Sequence, residues 1–141
     1  MKKVIITQIC PTIQGEGPSI GTPVLLMRLG NCNLHCDICD TKWTNDLKLK
    51  EIPKFTLSKK SVFPYIVDDS NYTKFVQFLD DEFLKKYNIS TILITGGEPF
   101  LNKDFIQSII FNGDLKQVMK IEIETNGTLL NDVDDYKMFD H

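Results

Sequence analysis

Cys32-Asn33-Leu34-His35-Cys36-Asp37-Ile38-Cys39 places three cysteines within one short stretch, and the rest of the chain arranges itself around it. A C-x3-C-x2-C spacing on one tight loop lets three thiolates converge on a single iron-sulfur cluster. Three ligands leave one iron of a four-iron cubane open, and an open iron accepts an outside chelator. The same spacing also suits structural zinc, which needs four ligands in a tetrahedron; His35 or the distant Cys10 could supply the fourth. Spacing alone leaves both readings open. A disulfide framework fits poorly, because neighbouring loop cysteines make strained mutual bridges and nothing in the chain reads as secreted.

Upstream of the loop, Pro23-Val24-Leu25-Leu26-Met27-Arg28-Leu29 is a nearly continuous apolar run ending at Gly30, the pattern of a strand buried on both faces in a parallel sheet. Arg28 does not belong in such a run. A guanidinium there is either half of a structural ion pair or a fork awaiting a carboxylate. Before it, the β-branched run from Val4 to Ile9 reads as a first strand, followed from Pro11 by a loop, Thr12-Ile13-Gln14-Gly15-Glu16-Gly17-Pro18. Its glycines permit backbone angles closed to other residues, while Gln14 and Glu16 offer an amide beside a carboxylate. That loop is either a polar hairpin or a reader of a heterocycle's edge. Just beyond the cysteines, the Thr41 hydroxyl suits either a hard cation such as magnesium or a turn.

Downstream, residues 45–71 form an irregular excursion broken by Pro53 and Pro64, with a short strand expected around 62–67. The lysines dense from Lys42 to Lys60 read as a solvated face rather than a phosphate-binding patch. Tyr72, Phe75, Val76, Leu79, Phe83, Leu84 and Tyr87 recur at three- and four-residue steps, which predicts a core-facing helix over 71–86. Thr91-Ile92-Leu93-Ile94-Thr95 is a strand that runs into Gly96-Gly97-Glu98-Pro99, a turn able to bring backbone groups and the Glu98 carboxylate to a ligand beyond the strand's carboxyl end. Asn102 is placed to cap a helix carrying Phe105, Ile106, Ile109 and Ile110 on one face, with Gly113 at its end. A strand over 118–125 puts Glu122 and Glu124 on one side, and Ile121 and Ile123 on the other. Asn126-Gly127 is a turn, residues 131–135 an acidic loop, and 136–141 the approach to another strand.

The 141 residues are 42% hydrophobic and 25% charged, with a formal net charge of −3, values of an ordinary globular domain. The expectation is a single domain over 1–141 with no electrostatic footprint for nucleic acid, no membrane span and a cytoplasmic setting.

The three-cysteine loop, the Gly-Gly-Glu-Pro turn and the strand order together resemble the radical S-adenosylmethionine superfamily. Within it, Thr12-Ile13-Gln14-Gly15-Glu16-Gly17, Gly21-Thr22-Pro23, Arg28-Leu29, Cys39-Asp40-Thr41 and Glu124-Thr125-Asn126-Gly127-Thr128 are similar to the 7-carboxy-7-deazaguanine synthases. The resemblance covers residues 6–128 apart from the 45–71 excursion. It implies an α/β fold, a partial (β/α) barrel with a mostly parallel sheet and flanking helices. Members run on through further strands, so it also implies a truncated, N-terminal portion of that fold.

For the site, the resemblance implies that Cys32, Cys36 and Cys39 hold a 4Fe-4S cluster and that Ile38, Cys39, Asp40 and Gly97 line the S-adenosylmethionine site. It further implies that Ile13, Gln14, Gly15, Arg28 and Thr95 hold 6-carboxy-5,6,7,8-tetrahydropterin, and that Thr41 sits on a magnesium ion. The implied reaction is ring contraction with loss of ammonia to 7-carboxy-7-deazaguanine, a precursor of queuosine and related deazapurines. Implied partners are an electron donor such as flavodoxin, and either a second copy of the chain or a complementing C-terminal segment. Two alternatives are carried beside it: an activating enzyme for a glycyl-radical protein, and a zinc-bound or inactive interaction module.

Overall fold

The computed structural model describes residues 1–111, 115, 118 and 120–130. Five strands among them form one sheet: β1 (Val4–Ile13), β2 (Pro23–Leu29), β3 (Tyr65–Val67), β4 (Thr91–Gly96) and β5 (Lys120–Ile123), in the order β3-β1-β2-β4-β5. The sheet is mixed. β2, β4 and β5 run parallel, as the buried apolar runs predict, while β1 pairs antiparallel with both β2 and β3. β1 also extends past the expected loop start, because Pro11, Thr12 and Ile13 stay in register with Leu25, Val24 and Pro23. The loop therefore spans 14–22 and is a hairpin connection.

The sheet has two unlike faces. Pleating sends alternate residues to opposite sides, so Ile9, Met27, Ile94 and Ile123 form one cross-strand row, and Pro11, Leu25, Ile92 and Ile121 the next. This apolar face packs on Phe75, Val76 and Leu79 of α1 (Tyr72–Leu79) and on Phe105, Ile106 and Ile109 of α3 (Lys103–Ile110). The opposite face carries Gln8, Arg28 and Thr95 in one row, and Cys10, Leu26, Leu93 and Glu122 in the next.

A bulge makes this separation work. Ile6 opposes Leu29 but Gln8 opposes Arg28, with Thr7 the extra residue between them. Without the insertion Ile6 and Gln8 would share a side; with it Ile6 enters the core and Gln8 turns to the polar face. The Thr7 hydroxyl holds the bulge by donating to the Arg28 carbonyl oxygen at 3.0 Å.

The helix expected over 71–86 is present, but five residues, Asp80–Leu84, form a π-helical segment before α2 (Lys85–Tyr87). Leu84 is buried as the stripe predicts and Phe78 is buried beside it, but beyond the wider turn Tyr87 faces solvent. Asn102 does not cap α3 with its side chain. The cap lies one turn earlier, where the Glu98 carboxylate accepts from the Phe100 amide at the start of a 3-10 turn. The short strand forms at Tyr65–Val67 and β5 is confined to Lys120–Ile123. Gly113 and the expectations for 131–141 lie outside the described residues.

Candidate functional site

The polar face of the sheet and the loops at the carboxyl ends of β2 and β4 form one continuous region. The cysteine loop leaves β2 at Gly30, where an added Cβ would sit 2.9 Å from a Leu47 methyl group and 3.0 Å from Ile5. Asn31 follows with a positive φ of 69°, a conformation that asparagine tolerates. It fastens the loop at both ends: its amide donates to the Thr44 carbonyl at 2.8 Å, and its Oδ1 accepts from the Leu47 amide at 3.1 Å.

The Gly-Gly-Glu-Pro turn packs directly on that start. A Cβ on Gly97 would lie 1.7 Å from the Asn31 carbonyl oxygen, and one on Gly96 2.2 Å from that of Leu29. Gly96 also has a φ of +125°, open to glycine alone. The two glycines thus exist to let β4's exit lie flush against the cysteine loop.

Glu98, expected to offer a carboxylate to a ligand, is wholly buried and spent inside the protein. Its oxygens accept from the Phe100 amide at 2.9 Å, the Thr125 hydroxyl at 2.7 Å and the Asn126 amide at 2.8 Å. It is a bracket between the exits of β4 and β5.

Cys32, Cys36 and Cys39 are free thiols on this loop, and Cys36 is exposed. The Cys32 sulfur accepts from the Leu34 amide at 3.4 Å and the Asn126 side-chain amide at 3.8 Å. The Cys39 sulfur lies 3.6 Å from the Thr41 hydroxyl. Three unbridged thiols on one anchored loop are the donor set that an iron-sulfur cluster requires. Neither proposed fourth zinc ligand joins them. Cys10 lies inside the sheet opposite Leu26, and the His35 Nε2 faces Asp46 Oδ1 at 3.6 Å. Among the described residues no three His, Cys, Asp or Glu side chains, the three cysteines included, are gathered closely enough to hold a metal ion.

Thr41 begins a 3-10 turn without capping it, its hydroxyl turned to Cys39. Asp40 is exposed, and Ile38 is 95% exposed, an apolar side chain held out on the cysteine loop.

On the polar face, Arg28 and Thr95 are register partners on adjacent strands. The Arg28 Nε donates to Gln8 Oε1 at 3.1 Å, and no carboxylate of the described residues pairs with its guanidinium. Among the described residues Arg28 is thus in no ion pair. Gln8 Nε2 in turn reaches the Cys10 sulfur at 3.7 Å. Burial pushes the Cys10 thiol up, and the Arg28 charge only partly offsets this. The Thr95 hydroxyl donates to Glu124 at 2.7 Å.

Ile13, Gln14 and Gly15 stand at the other end of the polar face, where β1 passes into the hairpin. Gln14 is buried, and its Nε2 donates to Glu122 Oε2 at 3.0 Å. Lys120 bonds the Ser19 hydroxyl at 2.6 Å and pairs with Glu122 at 2.8 Å. β1 and β5 are separated by β2 and β4, about 14 Å at normal strand spacing, so the hairpin crosses over the polar face. Burial disfavours the Glu122 charge, but hydrogen bonds from Lys120, Ser19 and Gln14 outweigh it and hold the carboxyl below its usual range.

Sequence reasoning brought out Arg28, Thr95 and the cysteines but missed Gln8, Asn126 and the inward role of Glu98. Period-two alternation does place Gln8 and Cys10 together, yet only the bulge decides which face they share.

The model of the radical SAM superfamily matches residues 28–140. The chain is 35% identical over 127 residues to the 7-carboxy-7-deazaguanine synthase of Rickettsia prowazekii, covering 90% of this chain and 45% of the relative. It is 36% identical over 129 residues to the enzyme of that name from Buchnera aphidicola (89% and 55%), and 30% identical over 118 residues to that of Clostridium acetobutylicum (84% and 43%). Among solved structures it is similar to the crystal structure of QueE from Escherichia coli, with a TM-score of 0.63 at 24% identity, covering 89% of this chain and 54% of that one. The chain spans about half the length of the curated relatives it matches.

Proposed function

The chain belongs to the radical S-adenosylmethionine superfamily, and from that premise we propose that it carries the cluster loop and part of the substrate face of a 7-carboxy-7-deazaguanine synthase, acting on 6-carboxy-5,6,7,8-tetrahydropterin. The observation that carries this reading is the Arg28 guanidinium, held at Nε by Gln8 and unpaired with any described carboxylate, on the sheet whose β2 exit bears three free thiols.

Cys32, Cys36 and Cys39 are the residues that would hold a 4Fe-4S cluster. When bound, that cluster supplies the electron for reductive cleavage of S-adenosylmethionine. Ile38, Cys39, Asp40 and Gly97 would line the cofactor's place, with the exposed Ile38 covered by it. The remaining work belongs to the sheet. Arg28 offers its free edge to the pterin carboxylate, a charge-assisted and orienting contact. Thr95 places a hydroxyl beside it, and the hairpin bearing Ile13, Gln14 and Gly15 closes over the far end and excludes water. Thr41 is the proposed magnesium contact; its buried hydroxyl, left free of capping, supports that role.

We further propose a small acidic one-electron donor such as flavodoxin, a cytoplasmic setting that keeps the thiols reduced, and completion of the site by a second copy or by a segment carrying the strands its longer relatives have. The same reading makes residues 1–141 one domain. Among the described residues no helix is long and apolar enough to cross a membrane.

Anaerobic reconstitution with iron and sulfide, followed by electron paramagnetic resonance of the reduced protein with and without S-adenosylmethionine, tests the reading. A signal that changes on adding the cofactor is the expected result. A signal indifferent to it, or zinc bound one per chain with no iron, overturns it.

A further inference from the structure

Besides Thr41, which neighbours the Cys39 sulfur, a side chain from beyond β5 reaches one of the three cysteine sulfurs. Asn126 lies ninety-four positions downstream of Cys32, yet its Nδ2 stands 3.8 Å from Cys32 Sγ and 3.0 Å from Asn33 Oδ1. Its orientation is fixed from both ends. The Asn126 backbone amide is held by buried Glu98 at 2.8 Å, and its Oδ1 accepts from the Thr128 amide at 3.0 Å and the Thr128 hydroxyl at 2.7 Å. Thr128 Oγ1 in turn accepts from Asn33 Nδ2 at 2.8 Å, closing the ring of contacts. With Oδ1 committed to two donors, Nδ2 must face the cysteine loop.

From this geometry we propose that Asn126 is a positioning residue for the cluster, its side-chain amide being a fixed hydrogen-bond donor to the Cys32 thiolate that raises the cluster's reduction potential. The proposal rests on the cluster reading above. In the thiol form the nearer acceptor is Asn33 Oδ1, and the sulfur contact is long. A ligated sulfur carries negative charge, which strengthens an N–H donor aimed at it. Donors to cluster sulfurs stabilise the more negative, reduced state and so move the potential upward. Cys32 is the natural target: it also accepts from the Leu34 amide, whereas Cys39 has a hydroxyl for its neighbour.

The test is a potentiometric titration of the reconstituted protein, followed by electron paramagnetic resonance, with iron and sulfide content measured on each sample. Asn126→Ala is expected to shift the midpoint to more negative potential at unchanged iron content, and Asn126→Asp, which replaces the donor by a carboxylate, to shift it further. Thr128→Val, which frees one of the bonds that orient Asn126, should give a smaller shift of the same sign and serves if the Asn126 variants do not fold. Variants that load a full cluster with the wild-type midpoint overturn the proposal. A wild-type protein that takes up no cluster is a different failure, and counts against the parent reading.

Discussion

Arg28 puts a positive charge on the polar face of the sheet, across from Gln8 on one side and Thr95 on the other. A cation within an apolar strand is conspicuous in the sequence, and among the described residues no acid meets its outer edge, while Gln8 holds the inner nitrogen. On the proposed substrate, Arg28→Ala should raise the KM for the carboxypterin by about 10- to 100-fold, the value of one charge-assisted hydrogen bond, with S-adenosylmethionine cleavage little changed. Steady-state kinetics alongside an assay of cofactor cleavage separates the two effects, and parallel loss of both would make Arg28 a structural residue. Arg28→Lys keeps the charge but not the fork, and should recover part of the affinity. Glu98 was far less legible. A glutamate in a glycine-rich turn looks like a ligand contact, and its true partners, Thr125 and Asn126, are nearly thirty residues downstream. Removing it in Glu98→Ala leaves the buried Phe100 amide and the part-buried Thr125 and Asn126 donors without their acceptor, and should cost about 3 kcal/mol in urea unfolding.

Among the elements, strands β2 and β4 and helix α3 followed from hydrophobic patterning because each is long enough to show its period. The bulge at Thr7 and the π-helical turn at Asp80–Leu84 did not, since each is a one-residue slip that a regular hydrophobic period does not announce. The joint between β3 and α1 was equally hidden inside an irregular stretch. There Asp68 accepts from Lys54 at 2.8 Å and from the Ser70 amide at 3.0 Å, and its carbonyl receives the amides of Asn71 and Tyr72. Lys54 first, and Ser70 after it, hold the Asp68 carboxyl down to about 2, below its ordinary 3.8. A depressed carboxylate stabilises the fold above its unfolded value, and the contribution fades as pH falls toward the folded one. The stability difference between wild type and Asp68→Asn should therefore be constant above about pH 4 and shrink between about pH 4 and 2. Urea unfolding across that range checks it; a difference that persists at the acid end would mean the carboxylate is not the source.

At the level of the whole molecule, the sheet divides stability from chemistry. Ile94 and Thr95 are neighbours in the chain but face opposite sides, one into the helices and the other beside Arg28. Ile94→Ala should cost about 3 kcal/mol through the cavity it leaves. Cys10→Ser, on the other side, should change stability by less than about 1 kcal/mol and leave iron content after reconstitution unaltered, whereas a cysteine that ligated metal would not tolerate the exchange. The hairpin that crosses this sheet has a wider effect. By fastening Gln14 and Ser19 to the strand that bears Glu122 and Lys120, it joins an early stretch of polypeptide to one more than a hundred residues later. The two should melt as a single cooperative unit: in Glu122→Ala, deuterium uptake at the amides of Gln14 and Gly21 should quicken in step with that of β5, so that loosening one margin of the sheet uncovers its polar face.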